Sequence, residues 1–131
     1  MSQENVDAVR AYFASQGEED IRVRRLHPRV EWQVRSDFPD AGVYRGQAGF
    51  RQLAARFDEV LVEQQYEPLE FIDAGVEVVV PLRWTAHGRL SGASFIERFE
   101  TWVFTVEEGL IRRVVEFTTM AEALEAVGLS E

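Results

Sequence analysis

Two glutamates are the side chains of this sequence best placed to carry chemistry. Glu100 and Glu116 each lie in a stretch where apolar and polar residues alternate, as in half-buried strands. Two carboxylates on one apolar wall resist joint ionisation, so at least one pKa rises and that group becomes usable as a general acid or base. The alternative is that Arg98 or Arg112 neutralises the two glutamates in ordinary cross-strand pairs.

Other reactive residue types provide no further site. The chain has no cysteine, which excludes disulfides, thiol catalysis and cysteine metal sites. The two histidines, His27 and His87, are far apart and make no metal-ligand pair, so we expect no metal. Gly42, Gly46 and Gly49 form no nucleotide motif, and we expect no cofactor. A net charge of −9, from 14 Lys and Arg against 23 Asp and Glu, argues against a nucleic-acid partner.

Length and composition favour one soluble domain. The chain has 131 residues, of which 46% are hydrophobic and 28% charged, and no linker or repeat divides it. We therefore expect a single domain over residues 1–131. No apolar segment is long enough to cross a membrane, and none follows the N-terminus as a secretory signal would, so a cytoplasmic location is expected.

Helical patterns come first along the chain, and alternating patterns follow. Apolar spacing predicts a helix from Ser2 towards Gly17 and three more at Glu18–Leu26, Gln47–Leu61 and Met120–Val127. Alternation predicts strands at Val30–Val34, Gln64–Ile72, Glu77–His87, Ala93–Val106 and Leu110–Thr118. This order indicates an α+β fold, with helices packed on one face of an antiparallel sheet.

The turns between strands predict which residues share a sheet face. With turns at Gly109 and Gly88–Gly92, Glu100 lies opposite Glu116 and Trp102 lies between Val114 and Val78. One face is then aromatic and apolar with few ionisable groups, and the other face, which is mixed, suits a second subunit. The predicted ligand-binding residues are Trp32, Phe57, Leu82, Trp84, Arg98, Trp102, Phe104 and Val114.

Local motifs spread over the whole chain carry a family resemblance. They are Glu4-Asn5-Val6, Val30-Glu31-Trp32, Gly42-Val43-Tyr44-Arg45-Gly46, Phe71-Ile72-Asp73-Ala74-Gly75 and the tail from Ala121 to Leu129. Together they resemble the SnoaL-like branch of the nuclear transport factor two-like superfamily, which shares its fold with ketosteroid isomerase. The resemblance implies a cone-shaped curved sheet closed by N-terminal helices around an apolar pocket. It also implies a homodimer formed through the outer sheet face.

The same resemblance suggests roles for individual residues. Tyr12 matches the place of the oxyanion-donating tyrosine of ketosteroid isomerase, and the alternative is a tyrosine packed in the core. The isomerase's two aspartates fall near Val34 and Trp102, so its known chemistry is not expected here. The histidine that SnoaL-like chains often carry is also replaced, by Trp102. Arg98 between Glu100 and Glu116 imitates only loosely the Asp-Arg-Asp set of epoxide hydrolases of this fold.

Two functions of different classes follow from these observations. The first is a cofactor-free enzyme that uses acid–base chemistry of the isomerase or cyclase type on a small cyclic or carbonyl compound. In it Glu116 or Glu100 moves a proton, and Tyr12 stabilises negative charge on oxygen. The second is a non-catalytic protein that binds a small apolar ligand in the same pocket. A purely structural dimerisation module is a third possibility.

Overall fold

Over the part of the chain that the structure describes, four helices pack on one sheet. The computed structural model describes residues 2–35, 37, 41–90 and 94–129. Its helices are α1 (Ser2–Ala14), α2 (Glu19–Arg24), α3 (Gly46–Val60) and α4 (Met120–Ala126). Its strands are β1 (Leu26–Val34), β2 (Gly42–Arg45), β3 (Leu61–Pro68), β4 (Ile72–Ala74), β5 (Glu77–Gly88), β6 (Phe95–Glu107) and β7 (Leu110–Phe117). The predicted α+β class is confirmed.

The seven strands form one curved sheet that does not close. The strand order is β2-β1-β7-β6-β5-β3, and β4 pairs with β5 beside β3. All neighbours are antiparallel except β1 and β7, which run parallel. The long strands β5, β6 and β7 therefore lie at the centre and supply most of the surface on which the helices pack.

Several predicted boundaries differ from the structure. The segment Gln64–Ile72 is two strands, β3 and β4. The pairing with β5 ends after Leu69, which donates to the backbone oxygen of Pro81, because Pro81 has no N–H to donate in return. Strand β2 lies where the sequence suggested a loop, and it pairs with β1 from Gly42 to Arg45. The loop residue Pro39, the turn residues Ser91 and Gly92, and the predicted strand start at Ala93 lie outside the described residues.

The predicted strand partners are wrong by two residues, yet the predicted faces are right. Trp102 lies opposite Glu116 and Val80, and Leu82 lies opposite Glu100. A two-residue turn after Glu107 and a bulge between Thr105 and Val106 together shift the β6–β7 pairing by two. Because side chains alternate with a period of two, such a shift leaves the side chains paired beyond the bulge, at 101–105 and 113–117, on their predicted faces.

Helices cover the two faces of the sheet unequally. Helix α1 buries Val6, Val9, Tyr12 and Phe13, which follow one another at helical spacing, against the inner face. Helix α3 buries Phe50 and Leu53 beside β1. The short helix α4 covers part of the outer face, around Val79 and Val103. No helix among the described residues has the length and apolar character needed to span a membrane.

A candidate proton-transfer site

A cavity of about 500 Å³ lies between the inner sheet face and helices α1, α2 and α3. Much of its wall is aromatic, from Tyr12, Trp32, Phe50, Phe57, Tyr66 and Trp102. Charged and amide side chains also line it, including Gln16, Arg22, Arg89 and Glu116. The cavity thus combines flat aromatic walls with several charged and amide side chains, which suits a ligand that is both planar and polar.

Glu116 is the carboxyl group on the cavity wall that is most strongly perturbed. It lies on β7 and is only 8% exposed. Its Oε2 accepts a hydrogen bond of 2.7 Å from Trp32 Nε1, and its Oε1 accepts a longer one of 3.4 Å from the backbone N–H of Arg35. Burial raises its pKa from the ordinary 4.5 to about 8, although the Trp32 hydrogen bond opposes this rise. A carboxyl group with such a pKa can exchange a proton near neutral pH.

Glu100 lies on the same face but has a different environment. Its Oε2 is 2.8 Å from Arg35 Nη1, in a buried ion pair, and its Oε1 accepts a 2.8 Å hydrogen bond from Trp102 Nε1. With Trp84 it lines a small recess of about 10 Å³ beside the main cavity. The structure therefore places the two glutamates on one face, as predicted, but only Glu116 lines the large cavity.

Arg35 is the site residue that the sequence did not reveal. It follows β1 and is 6% exposed. Its guanidinium group pairs with the carboxylates of both Glu100 and Asp37, and its Nε donates to Asp37 at 2.9 Å. Arg98, which was considered as the neutralising group, instead lies 3.0 Å from Asp37. Arg112, the other one considered, donates to the backbone oxygen of Arg29. A glutamate is indeed neutralised, but by an arginine from outside the predicted hairpin.

Two tyrosines face the cavity, Tyr12, which is buried, and Tyr66, which is half-buried. Tyr12 is 4% exposed, and its ring centroid lies 5.8 Å from that of Trp32. Burial raises the pKa of both Tyr12 and Tyr66, and the charge of Glu116 adds to the rise while that of Arg22 opposes it. Both phenols therefore stay protonated at neutral pH and can donate hydrogen bonds. Tyr66 was missed, although its position opposite Trp84 on β3 places it on the inner face.

The predicted ligand-binding residues divide into three groups. Trp32, Phe57 and Trp102 line the main cavity together with Tyr12 and Glu116, and Trp84 lines the small recess. Arg98 lies outside both. The remaining three, Leu82, Phe104 and Val114, are fully buried and lie in the core instead of on the wall of the cavity. Aromatic rings separate Phe104 from the cavity. Its ring centroid, for example, lies 5.9 Å from that of Tyr12, which lines the cavity.

The two histidines lie away from the cavity. His27 Nδ1 accepts a 2.9 Å hydrogen bond from the backbone N–H of Arg29, and the His87 ring packs 5.3 Å from Phe95 at the end of the β5–β6 pair. In the part of the chain that the structure describes, no cluster of three or more histidine, cysteine or acidic side chains could hold a metal ion.

Known structures identify the fold. An NTF2-like protein of unknown function from Burkholderia pseudomallei superposes with a TM-score of 0.79 at 18% identity, over 95% of this chain and 98% of the other. The chain has the NTF2-like fold. A protein from Jannaschia sp. CCS1 superposes on this chain with a TM-score of 0.74 at 18% identity, over 98% of this chain and 94% of the other. That protein is assigned by likeness to the SnoaL-like polyketide cyclases.

A third similar structure is that of TerC, co-crystallised with polyporic acid. It superposes on this chain with a TM-score of 0.78 at 23% identity, over 95% of this chain and 98% of TerC. At the level of sequence, no protein-family model and no curated protein matches the chain. Structural similarity at such low sequence identity establishes the NTF2-like fold alone. The fold by itself does not determine the chemistry.

Proposed function

We propose that this NTF2-like protein binds a flat cyclic carbonyl compound in its cavity and moves a proton on that compound with Glu116. The observation that carries the proposal is a buried carboxyl on the cavity wall whose pKa is raised to about 8. A buried carboxylate is a stronger base than a solvated one, and a pKa near the working pH suits proton transfer. The aromatic rings of Trp32, Phe57 and Trp102 favour a planar ligand.

The proton transfer has two steps. Ionised Glu116 removes a proton from the carbon next to the ligand's carbonyl group; the electrons of that C–H bond form a C=C bond, and the carbonyl π electrons move to oxygen. The hydroxyl group of Tyr12, which burial keeps protonated, donates a hydrogen bond to this oxyanion. The oxyanion then re-forms the C=O bond as the carboxyl group protonates carbon. Return of the proton to a conjugated carbon isomerises the ligand, and exchange of the carboxyl proton with solvent before return to the same carbon exchanges it.

We assign the proton transfer to Glu116 and not to Glu100, because Glu100 already forms an ion pair with Arg35. The ion pair with Arg35 and the hydrogen bond from Trp102 occupy both carboxyl oxygens of Glu100. Its nearest open space is the small recess and not the large cavity. Glu100 therefore acts on Glu116 from a distance, because its negative charge helps to raise the pKa of the neighbouring carboxyl.

One observation favours the alternative of a binding protein without catalysis. Both carboxyl oxygens of Glu116 accept hydrogen bonds from the protein, one from Trp32 and one from the backbone of Arg35. Held in this way, the carboxyl group could serve only to orient a bound ligand. The co-crystal structure of TerC with polyporic acid supports a small organic ligand under either function.

The deciding experiment follows exchange of carbon-bound hydrogen. A panel of uncharged polycyclic ketones is incubated in deuterium oxide with the wild-type protein, and deuterium uptake next to the carbonyl is followed by mass spectrometry. Proton transfer predicts uptake that increases with pH until about pH 8 and then levels off, because the ionised form of Glu116 is the active one. Glu116→Gln is expected to slow exchange roughly 100-fold or more, and Tyr12→Phe by a similar factor.

Glu125→Gln, an exposed change on α4, is the matched control and should exchange like the wild type. Thermal-shift binding of the same ketones is measured in parallel. Ketones that bind but do not exchange would support the binding protein and overturn the enzyme. Exchange that persists unchanged in Glu116→Gln would also overturn the role of this residue.

A further inference from the structure

Arg22 lines the cavity and has no ion-pair partner among the described residues. Arg22 lies on α2, half-buried, and its guanidinium carbon sits 5.1 Å from the ring centroid of Phe50 and 5.9 Å from that of Tyr12. Its Nε atom is buried and has no hydrogen-bond partner among the described residues. A buried donor without an acceptor costs free energy, so such groups mark places where a ligand is able to supply the missing partner.

Two other charged side chains on the cavity wall already have hydrogen-bond partners. Arg89 also lines the cavity, but its Nε and Nη2 donate to the backbone oxygen of Asp58 at 2.9 and 2.6 Å. Glu19, which lines the same wall three residues before Arg22, lies 2.8 Å from Arg51. Glu19 is therefore held by another arginine, and Arg89, whose side chain has only donors, cannot supply the acceptor that Arg22 Nε lacks.

We infer that the ligand carries a carboxylate that Arg22 binds. This inference rests on the proposed function, because it describes the compound that occupies the same cavity. A guanidinium group offers parallel N–H donors that match a carboxylate, and these charge-assisted hydrogen bonds are stronger where aromatic rings exclude water. The net charge of −9 repels anions from the rest of the surface, so that the attraction is local to this arginine.

The placement of Arg22 also sets the shape of the ligand. The ring of Phe50 contacts the guanidinium of Arg22 on one side. It also contacts the ring of Trp32, at 5.4 Å between centroids, and Trp32 Nε1 donates a hydrogen bond to Glu116. Two aromatic rings of the wall therefore connect the carboxylate site to the proton-transfer site. The expected substrate class is a planar cyclic acid whose carboxylate meets Arg22 while its carbonyl group lies beside Glu116.

The test compares two probes that differ only in charge, 2-naphthoate and 2-naphthamide. Their dissociation constants are measured by isothermal titration calorimetry at pH 7, where the naphthoate is ionised. Wild-type protein is expected to bind 2-naphthoate roughly tenfold more tightly than the amide, as for one charge-assisted hydrogen-bonded pair. Arg22→Met keeps the apolar stem and should abolish this preference, whereas Arg22→Lys should keep part of it. Arg24→Met, an exposed change on the same helix, is the matched control and should leave the preference unchanged.

Three outcomes would overturn the inference: equal binding of the two probes by wild-type protein, no binding of either, or a preference that survives in Arg22→Met. Should Arg22→Met fail to fold, the wild-type comparison and Arg22→Lys still decide the question. Failure of the proposed function looks different. Deuterium exchange is measured on uncharged ketones, so absence of exchange together with a retained preference for the naphthoate would refute the proton transfer alone.

Discussion

Replacing Glu116 by glutamine is expected to change how the stability of the protein depends on pH. Glutamine keeps the shape of the side chain and can still accept the hydrogen bond from Trp32, but it cannot ionise. In the folded protein the pKa of Glu116 is about 8, and its ordinary value is 4.5. Between these values the folded protein holds a proton that the unfolded chain has released, so raising the pH favours the unfolded chain.

The size of the effect follows from the width of this window. The two pKa values lie between three and four units apart. Each unit corresponds to about 1.4 kcal/mol, so the wild-type protein should lose roughly 4 to 5 kcal/mol of unfolding free energy through this group as the pH increases across the window. The loss begins near pH 4.5 and is complete above about pH 8, where the group is ionised in both states.

Urea unfolding of wild-type protein and Glu116→Gln, at five pH values from 5 to 9, measures this loss. The quantity of interest is the difference in unfolding free energy between the two proteins, since His27, His87 and all other shared groups cancel from it. From pH 5 to pH 9, we expect the unfolding free energy of Glu116→Gln to rise by roughly 4 kcal/mol relative to that of the wild type. A difference that stays constant with pH, or that moves the opposite way, would refute the assignment of a raised pKa to this buried carboxyl.

Three further changes test the surroundings of the site. Arg35→Met leaves Glu100 buried without its partner and should cost about 3 to 5 kcal/mol in urea unfolding, and adding Glu100→Gln should recover much of the loss. Trp32→Phe removes a hydrogen bond that lowers the pKa of Glu116, so the pH at which the stability loss is complete should move above 8; an unchanged upper limit would contradict this. Thr119→Ala removes the side-chain cap of α4 and should lower the unfolding free energy by about 1 kcal/mol, whereas Thr119→Ser should not.

The inner face of the sheet was predictable because it depends only on alternation. The pattern of β5, β6 and β7 placed Trp102, Glu100 and Glu116 on one face, and the structure does so. The individual partners were not predictable, since a two-residue turn and a bulge near Thr105 each move the register by one. Neither feature changes composition or periodicity enough to be read from the sequence, but their combined shift of two preserves the face.

The ion pair of Arg35 could not be predicted in the same way. This arginine follows the last residue of β1, where the alternating pattern has ended, and it reaches Glu100 across a distance of 65 positions in the sequence. Arg22 shows the same limit, because its short helix α2 carries several arginines that look alike in sequence. Only the packing of α2 beside α3 places this one in the cavity.

The burial that makes Glu116 a strong base also makes its ionised form costly to the fold. The Trp32 hydrogen bond and the Arg35 backbone amide limit this cost, because both stabilise the carboxylate and lower its pKa. The adjacent ion pair acts in both directions, since the charge of Glu100 raises the pKa of Glu116 and that of Arg35 lowers it. Removing Glu100 and Arg35 together should therefore move this pKa less than removing either alone. The pair supplies a balanced charge next to the site, which leaves burial as the main determinant of when Glu116 holds its proton.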